Sequence, residues 1–309
     1  MTLSHDPLWP RAGGWPSASS LPADAPIDVA LLGIPTWRTS LSPTGAQGTP
    51  AAVREALRRY SFALVPDPGD PRPGARAPEA LAIADFGDVD EPDGPAGEAR
   101  AIAHVAAAAM RSRLVVALGG DNALTVPAAL GVWGEELATA GLITLDAHFD
   151  LRDAVSNGSP VRRLVEAGLD GARIVQIGIQ DFANSAEYAR RAAEYGITVV
   201  HRDELLRRPI DEVLAEALEI AGSGGGPVHV DLDVDVCDRA VAPGCPASVP
   251  GGLAAWELRR AARVLASDDR VRSLDLAEVD ASADAPDGRT VRLAALCVLE
   301  AAAGVAARG

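Results

Sequence analysis

Short apolar runs rich in Val, Ile and Leu alternate along the chain with longer Ala, Arg and Glu segments of helical period. That alternation is the pattern of repeated βα units around a parallel sheet. Strands are predicted near 27–34, 81–86, 113–118, 141–146, 173–179, 196–200, 227–235 and 271–277, and helices at 50–60, 96–112, 184–195, 203–221, 253–267 and 288–306. Several strands are apolar almost throughout, as strands covered on both faces should be. The expected fold is α/β, three-layer α/β/α, with a mainly parallel eight-stranded sheet. The chain reads as an N-terminal arm, 1–26, followed by a single domain, 27–309. The proline-rich stretch 66–78 is expected to be a loop and not a domain linker, because the alternation resumes directly after it.

Composition narrows the function. With 43 acidic against 28 basic residues and a net charge of -15, a generic attraction to nucleic acid or to an anionic membrane is disfavoured, which leaves a small-molecule substrate as the expected partner. Every basic residue is Arg, and the absence of Lys removes Schiff-base chemistry and a Walker-type phosphate lysine. Cys237, Cys245 and Cys297 show neither CxxC spacing nor an even count, so a reducing compartment fits. No apolar run reaches membrane-spanning length, and the first 26 residues are broken by Pro, Gly and Asp. The expectation is a cytoplasmic protein with a surface arm in place of a signal.

In an open parallel sheet, ligands bind just beyond the carboxyl ends of the strands. Three predicted strand ends carry polar residues. The first is Gly119-Gly120-Asp121-Asn122, which on its own reads as an ordinary turn with Asn122 capping a helix. The second is Asp146-Ala147-His148-Phe149-Asp150, where alternation puts Asp146, His148 and Asp150 on one side of an extended chain. The third is the strand from His229 through Asp231, Asp233 and Asp235, whose acidic residues share one face while Val and Leu share the other. Carboxylates gathered on one face at the end of an apolar strand repel unless a cation neutralises them. Oxygen-rich ligation with one imidazole suits Mn²⁺ or a similar ion, and carboxylates that can bridge suit two ions that activate water.

These motifs, in this order, resemble those of the arginase, agmatinase and formimidoylglutamase family: 119–122, Asp146 to Asp150, and Asp233-Val234-Asp235-Val236-Cys237-Asp238 with Pro243-Gly244 and Pro250-Gly251-Gly252. The likeness extends to Leu32-Gly33-Ile34-Pro35 and Ala277-Glu278-Val279-Asp280. It implies an arginase-like fold, a homo-oligomer (trimer or hexamer), and two Mn²⁺ ions bridged by Asp146 and Asp233. His148 and Asp235 would complete one ion, Asp150 and Asn122 the other. Glu278 would face the cationic carbon of an amidine or guanidine, and Asp150 would orient the nucleophile and help move its proton. Asp238 is expected to brace the turn that follows it, whereas Asp231 has no assigned role.

Two departures from the family pattern matter. Asn122 stands where a histidine normally binds the first metal, so that ion is expected to be weak or absent. The segment from Ser156 to Pro160 stands where arginases carry a His-Gly pair, and together with Asn184-Ser185 and Asp287-Gly288-Arg289-Thr290 it is most similar to formimidoylglutamase. That resemblance implies hydrolysis of N-formimino-L-glutamate to L-glutamate and formamide. Arg152, Arg162 and Arg163 could clamp a substrate carboxylate, which makes Arg152, Asn157, Ser159, Arg162 and Glu278 the substrate-side candidates. A guanidino-acid hydrolase and an agmatinase are the alternatives within the enzyme class. A binding or partner subunit is the alternative outside it, against which stand the retained His148, the four aspartates and Glu278.

Overall fold

The computed structural model describes residues 6–64 and 80–308; the predicted loop at 66–78 lies outside them. The strands are β1 Ile27–Ile34, β2 Ile83–Asp88, β3 Ser112–Gly119, β4 Gly141–Leu145, β5 Ile174–Ile179, β6 Thr198–His201, β7 Val228–Asp233 and β8 Val271–Ala277. They form one sheet in the order β2-β1-β3-β8-β7-β4-β5-β6. Every pairing is parallel. All eight carboxyl ends therefore emerge at one edge.

Helices cover both faces: α1 Thr49–Leu57, α2 Gly94–Ala109, α3 Thr125–Trp133, α4 Pro160–Ala167, α5 Ala186–Tyr195, α6 Ile210–Ala221, α7 Ala255–Ala266 and α8 Arg289–Ala306. On one face Val53, Leu214, Leu258 and Val298, from α1, α6, α7 and α8, pack on Leu31, Val116, Ile143 and Val230 of the sheet. On the other, Trp133, Leu164 and Ala192 close over Leu142 and Ile174, and Ala101, Val105 and Ala128 over Leu32 and Val115. Burying these side chains is the main drive for the three layers, at about 25 cal/mol per Å² of apolar surface.

Two helices went unpredicted, for physical reasons. Helix α3, Thr-Val-Pro-Ala-Ala-Leu-Gly-Val-Trp, is apolar nearly all round and mostly buried, so it shows no polar face to reveal its period. Helix α4 spans only 8 residues. The helix expected over 203–221 is divided: a 3-10 turn runs Arg202–Leu206, and α6 begins after Pro209, whose ring cannot continue a helix through it. The strand expected over 227–235 ends at Asp233, and Val234–Val236 form a 3-10 turn, so Asp235 leaves the sheet. The arm residues lie along the sheet edge, where Ser17 bridges Asp85 of β2. Among the described residues no helix is long and apolar enough to cross a membrane.

Candidate active site

The four adjacent central strands β3, β8, β7 and β4 carry the polar strand ends together. Asn122 follows β3, Glu278 follows β8, Asp233 and Asp235 end β7, and Asp146, His148 and Asp150 follow β4. This is where strand order changes direction, since β7 and β8 insert between β3 and β4, and such a switch opens a crevice at the carboxyl edge.

Two donor groups form there, each with ligand atoms within 4.8 Å of one another: Asp146, His148 and Asp235, and Asp146, Asp150 and Asp233. Asp146 belongs to both. His148 Nδ1 lies 2.7 Å from Asp235 Oδ2 and 3.5 Å from Asp146 Oδ1. Short bonds hold the loops in place. Asp146 accepts from the His148 N–H at 2.6 Å, Asp235 from the Ala147 N–H at 3.0 Å, and Asp233 from the Asp235 N–H at 2.8 Å. Asp150 and Glu278 sit at φ 51° and 60°, a left-handed region that side chains other than Gly seldom adopt. Such strain persists only where the surroundings enforce it. Close approach of the chain is enforced at Gly120, where a Cβ would come 2.1 Å from the Thr36 carbonyl oxygen.

The electrostatics are those of a cation site. Burial, with Asp150 and Asp235 adding to it, pushes Asp146 well above the carboxylate range, and burial does the same to Asp233 beside Asp235 and Asp146. Burial raises Asp150 to about 7. It raises Glu278 to about 8, against hydrogen bonds from Asn157 and Asn122 that act downward. Asp235 takes the opposite course: burial acts upward, but the neighbouring His148 prevails and holds it low. The same contact raises His148 to about 10. Asp146 Oδ2 is buried with no hydrogen-bond donor. Four buried aspartates with one imidazole among them cannot ionise together without added positive charge, and a bound divalent ion supplies it and reverses the local pKa order. The residues present therefore fit a pair of Mn²⁺ ions.

Asn122 joins the site with its amide engaged on both sides. Its Nδ2 donates to Asp150 at 2.6 Å, its Oδ1 accepts from the Thr125 hydroxyl at 2.7 Å, and its N–H donates to Glu278 Oε1 at 2.8 Å. Turning the amide over would aim the oxygen at the Asp150 side and let the nitrogen donate to Thr125. The turn is capped by Asp121, which accepts from the Ala123 N–H, so the capping role lies one residue before Asn122. Asp238 braces its turn as expected, accepting from the N–H groups of Ala240 and Gly251 at 2.8 and 2.7 Å. Asp231 is fully buried below the site, in register between Thr144 and Asp275.

A cavity of about 470 Å³ opens over these groups, lined among others by His148, Asp150, Arg152, Asn157, Asp233 and Glu278. Its volume suits a small molecule. Arg152 is exposed on the wall, and no carboxylate pairs with it among the described residues. Two expected substrate residues are turned elsewhere. Ser159 is buried in the turn before α4, exchanging hydrogen bonds with Ser156, and Arg162 spends its guanidinium on the Arg152 carbonyl and Glu166. Arg163 pairs with Glu98 at 2.8 Å. Asn184 has more of a part than its sequence position suggested. Its Oδ1 accepts from the Phe149 N–H at 3.0 Å and its Nδ2 donates to the Ala147 carbonyl at 2.8 Å, bracing the loop that bears His148. Leu41, Ser42, Phe182 and Tyr188 also line the cavity and carry no signal of charge or period by which sequence could have found them.

The chain is similar to known proteins over most of its length. The arginase family model matches residues 27–304. A formimidoylglutamase of Halalkalibacterium halodurans is 32% identical over 264 residues, covering 82% of this chain and 80% of that protein. A guanidinopropionase of Pseudomonas aeruginosa is 30% identical, covering 94% of this chain and 93% of that protein. Among solved structures, formimidoylglutamase from Bacillus subtilis superposes with a TM-score of 0.87 at 26% identity, covering 99% of this chain and 95% of that one. Trypanosoma cruzi formiminoglutamase, solved with Mn²⁺, superposes with a TM-score of 0.80 at 21% identity, covering 92% and 95%.

Proposed function

The chain belongs to the arginase family of metal-dependent hydrolases acting on linear amidines, and from this premise we propose that its substrate is N-formimino-L-glutamate, cleaved to L-glutamate and formamide. The observation that carries the reading is the polarity of the cavity. One end holds buried acidic groups suited to a cationic amidine, and Arg152, with no acidic partner, stands on the wall. A guanidinium placed this way takes a carboxylate in a bidentate pair. A substrate ending in a free amine would face like charge there, which argues against agmatine.

Asp146, His148, Asp150, Asp233, Asp235 and Asn122 would hold two Mn²⁺ ions. When bound, they would lower the pKa of a water and draw electron density from the substrate. The protein's own groups do the rest. Glu278, its Oε1 held by the Asn122 N–H and the Asn157 amide, presents its other oxygen to the amidine nitrogens. Asp150 orients the water and carries its two protons in turn to the departing nitrogen of glutamate. The water oxygen joins the formimino carbon, the bond from that carbon to the glutamate nitrogen breaks, and formamide leaves with the oxygen.

The test is a product assay on the Mn²⁺-loaded protein with a panel of formimino and guanidino acids. Formamide from N-formimino-L-glutamate is the expected result. Urea from a guanidino acid at higher kcat/KM would overturn the substrate assignment and favour the chemistry named for the Pseudomonas relative. Arg152→Ala is expected to raise KM for the carboxylated substrate by about 10- to 100-fold, the worth of one charge-assisted pair. An unchanged KM would remove Arg152 from recognition. The same assay tests the non-catalytic alternative, since it requires no turnover on any member of the panel.

A further inference from the structure

Asn157 ties three loops together at one point. Its Nδ2 donates to Glu278 Oε1 at 2.7 Å, its Oδ1 accepts from the Leu41 N–H at 3.0 Å, and its own N–H donates to the Thr39 carbonyl at 3.3 Å. The loop after β1, which carries Thr39 and Leu41, is also fastened to the segment that follows Glu278. The Gly45 N–H donates to Asp280 at 2.7 Å, and the Thr49 hydroxyl donates to the Val279 carbonyl. Asn157 further shares its turn with the cation of the cavity wall: the Arg152 N–H donates to the Gly158 carbonyl at 3.0 Å, and a Cβ on Gly158 would come 2.7 Å from Arg152 Cδ.

We propose that Asn157 is a positioning residue that acts through Glu278, aligning its carboxylate on the amidine. The inference rests on the reading of Glu278 as the group that meets the amidine. Both polar ends of the Asn157 side chain are already engaged by protein groups, and Glu278 sits in a left-handed backbone conformation that needs external support. An aspartate of the same size would keep the bond from Leu41 and lose the one to Glu278, because a carboxylate cannot donate.

The experiment measures binding of two probes to the full Mn²⁺-loaded chain: formamidinium for the amidine end and glutarate for the Arg152 end. Asn157→Ala and Asn157→Asp should each weaken formamidinium by about 10-fold or more, the worth of a hydrogen bond to a charged group. Glutarate should stay within about 2-fold, as a site outside the coupled group should. In a Glu278→Ala background, Asn157→Ala should change formamidinium binding by less than about 2-fold. Equal losses for both probes, or an undiminished loss in the Glu278→Ala background, would overturn the proposal. Hydrogen exchange judges the strut independently of any ligand. The Leu41 amide should lose protection in Asn157→Ala and keep it in Asn157→Asp, and protection unchanged in Asn157→Ala would refute it. If the unmodified protein bound glutarate but not formamidinium, the amidine reading would fail on its own, with the exchange result still deciding the strut.

Discussion

Two groups of buried carboxylates in this molecule meet opposite fates. Glu300, on α8, is clamped by Arg259 and Arg263 of α7, with contacts of 2.6 and 2.5 Å, so its charge is answered within the protein. At the sheet edge, among the described residues, Asp146, Asp150, Asp233 and Asp235 have no arginine paired with them and only His148 for positive charge. The chain carries 28 basic residues, all of them Arg, yet none of the described ones pairs with these four. The contrast separates a carboxylate used to lock two helices from carboxylates held open for an added cation.

The largest expected effect sharpens that distinction. Asp146→Asn should reduce Mn²⁺ affinity by roughly 1000-fold and abolish turnover, while raising the Tm of the metal-free protein, because a buried carboxyl held protonated above its usual range no longer costs stability. Glu300→Gln should do the reverse, leaving Mn²⁺ binding intact and lowering Tm by about 2–4 °C as two guanidinium groups lose a charged partner. Calorimetry and a metal titration on both variants decide the matter, and a Tm that falls in Asp146→Asn would break the comparison.

Next in size is the pH dependence of the metal-free protein. Asp150 is raised to about 7, Glu278 to about 8 and His148 to about 10, so in each case the folded state holds its proton longer than the unfolded chain does. Stability should therefore fall as pH climbs from about 4 towards 10, where the unfolded state binds fewer protons. Mn²⁺ should remove most of that slope, and the stabilisation it confers should grow between pH 6 and 8.5, about the range over which its ligands shed protons. Melting curves at a series of pH values with and without Mn²⁺ check this, and parallel curves would contradict it.

The smallest effect concerns Asn122. Titration of metal-free protein should show two Mn²⁺ affinities that differ, and Asn122→His should tighten the weaker step by about 10-fold, since imidazole is the better ligand for such ions. Two tight, equal sites in the unmodified chain would refute the unequal pair.

How much of this was legible in the sequence follows from what each residue depends on. The β strands could be read because most are apolar runs covered on both faces, and all eight predicted positions lie within two residues of the observed bounds. The strand predicted to reach 235 ran on past Asp233 because alternating Asp and Val mimic a strand, whereas the chain actually turns so that Asp235 reaches His148. The four aspartates and His148 were visible because carboxylates at the end of an apolar strand have few other uses. Strand order was not visible, and with it the juxtaposition of Asn122 with Glu278, which lie 156 positions apart. Nor could sequence tell Arg152, free on the wall, from Arg162, claimed by Glu166 and the Arg152 carbonyl, and Arg163, claimed by Glu98 of α2. Those outcomes depend on tertiary neighbours and leave no local trace.

Strand β8 is the last to be made and lies between β3 and β7, in the middle of the sheet. During synthesis the nascent chain can hold two separate slabs, β2-β1-β3 and β7-β4-β5-β6, but their hydrogen-bonding edges meet only when residues 271–277 slot between them. A truncation between β7 and β8 therefore leaves two exposed edges that invite aggregation. Asn122 and Glu278 reach the acidic groups carried by β4 and β7 only once β8 is seated, so the complete site is a late product of folding.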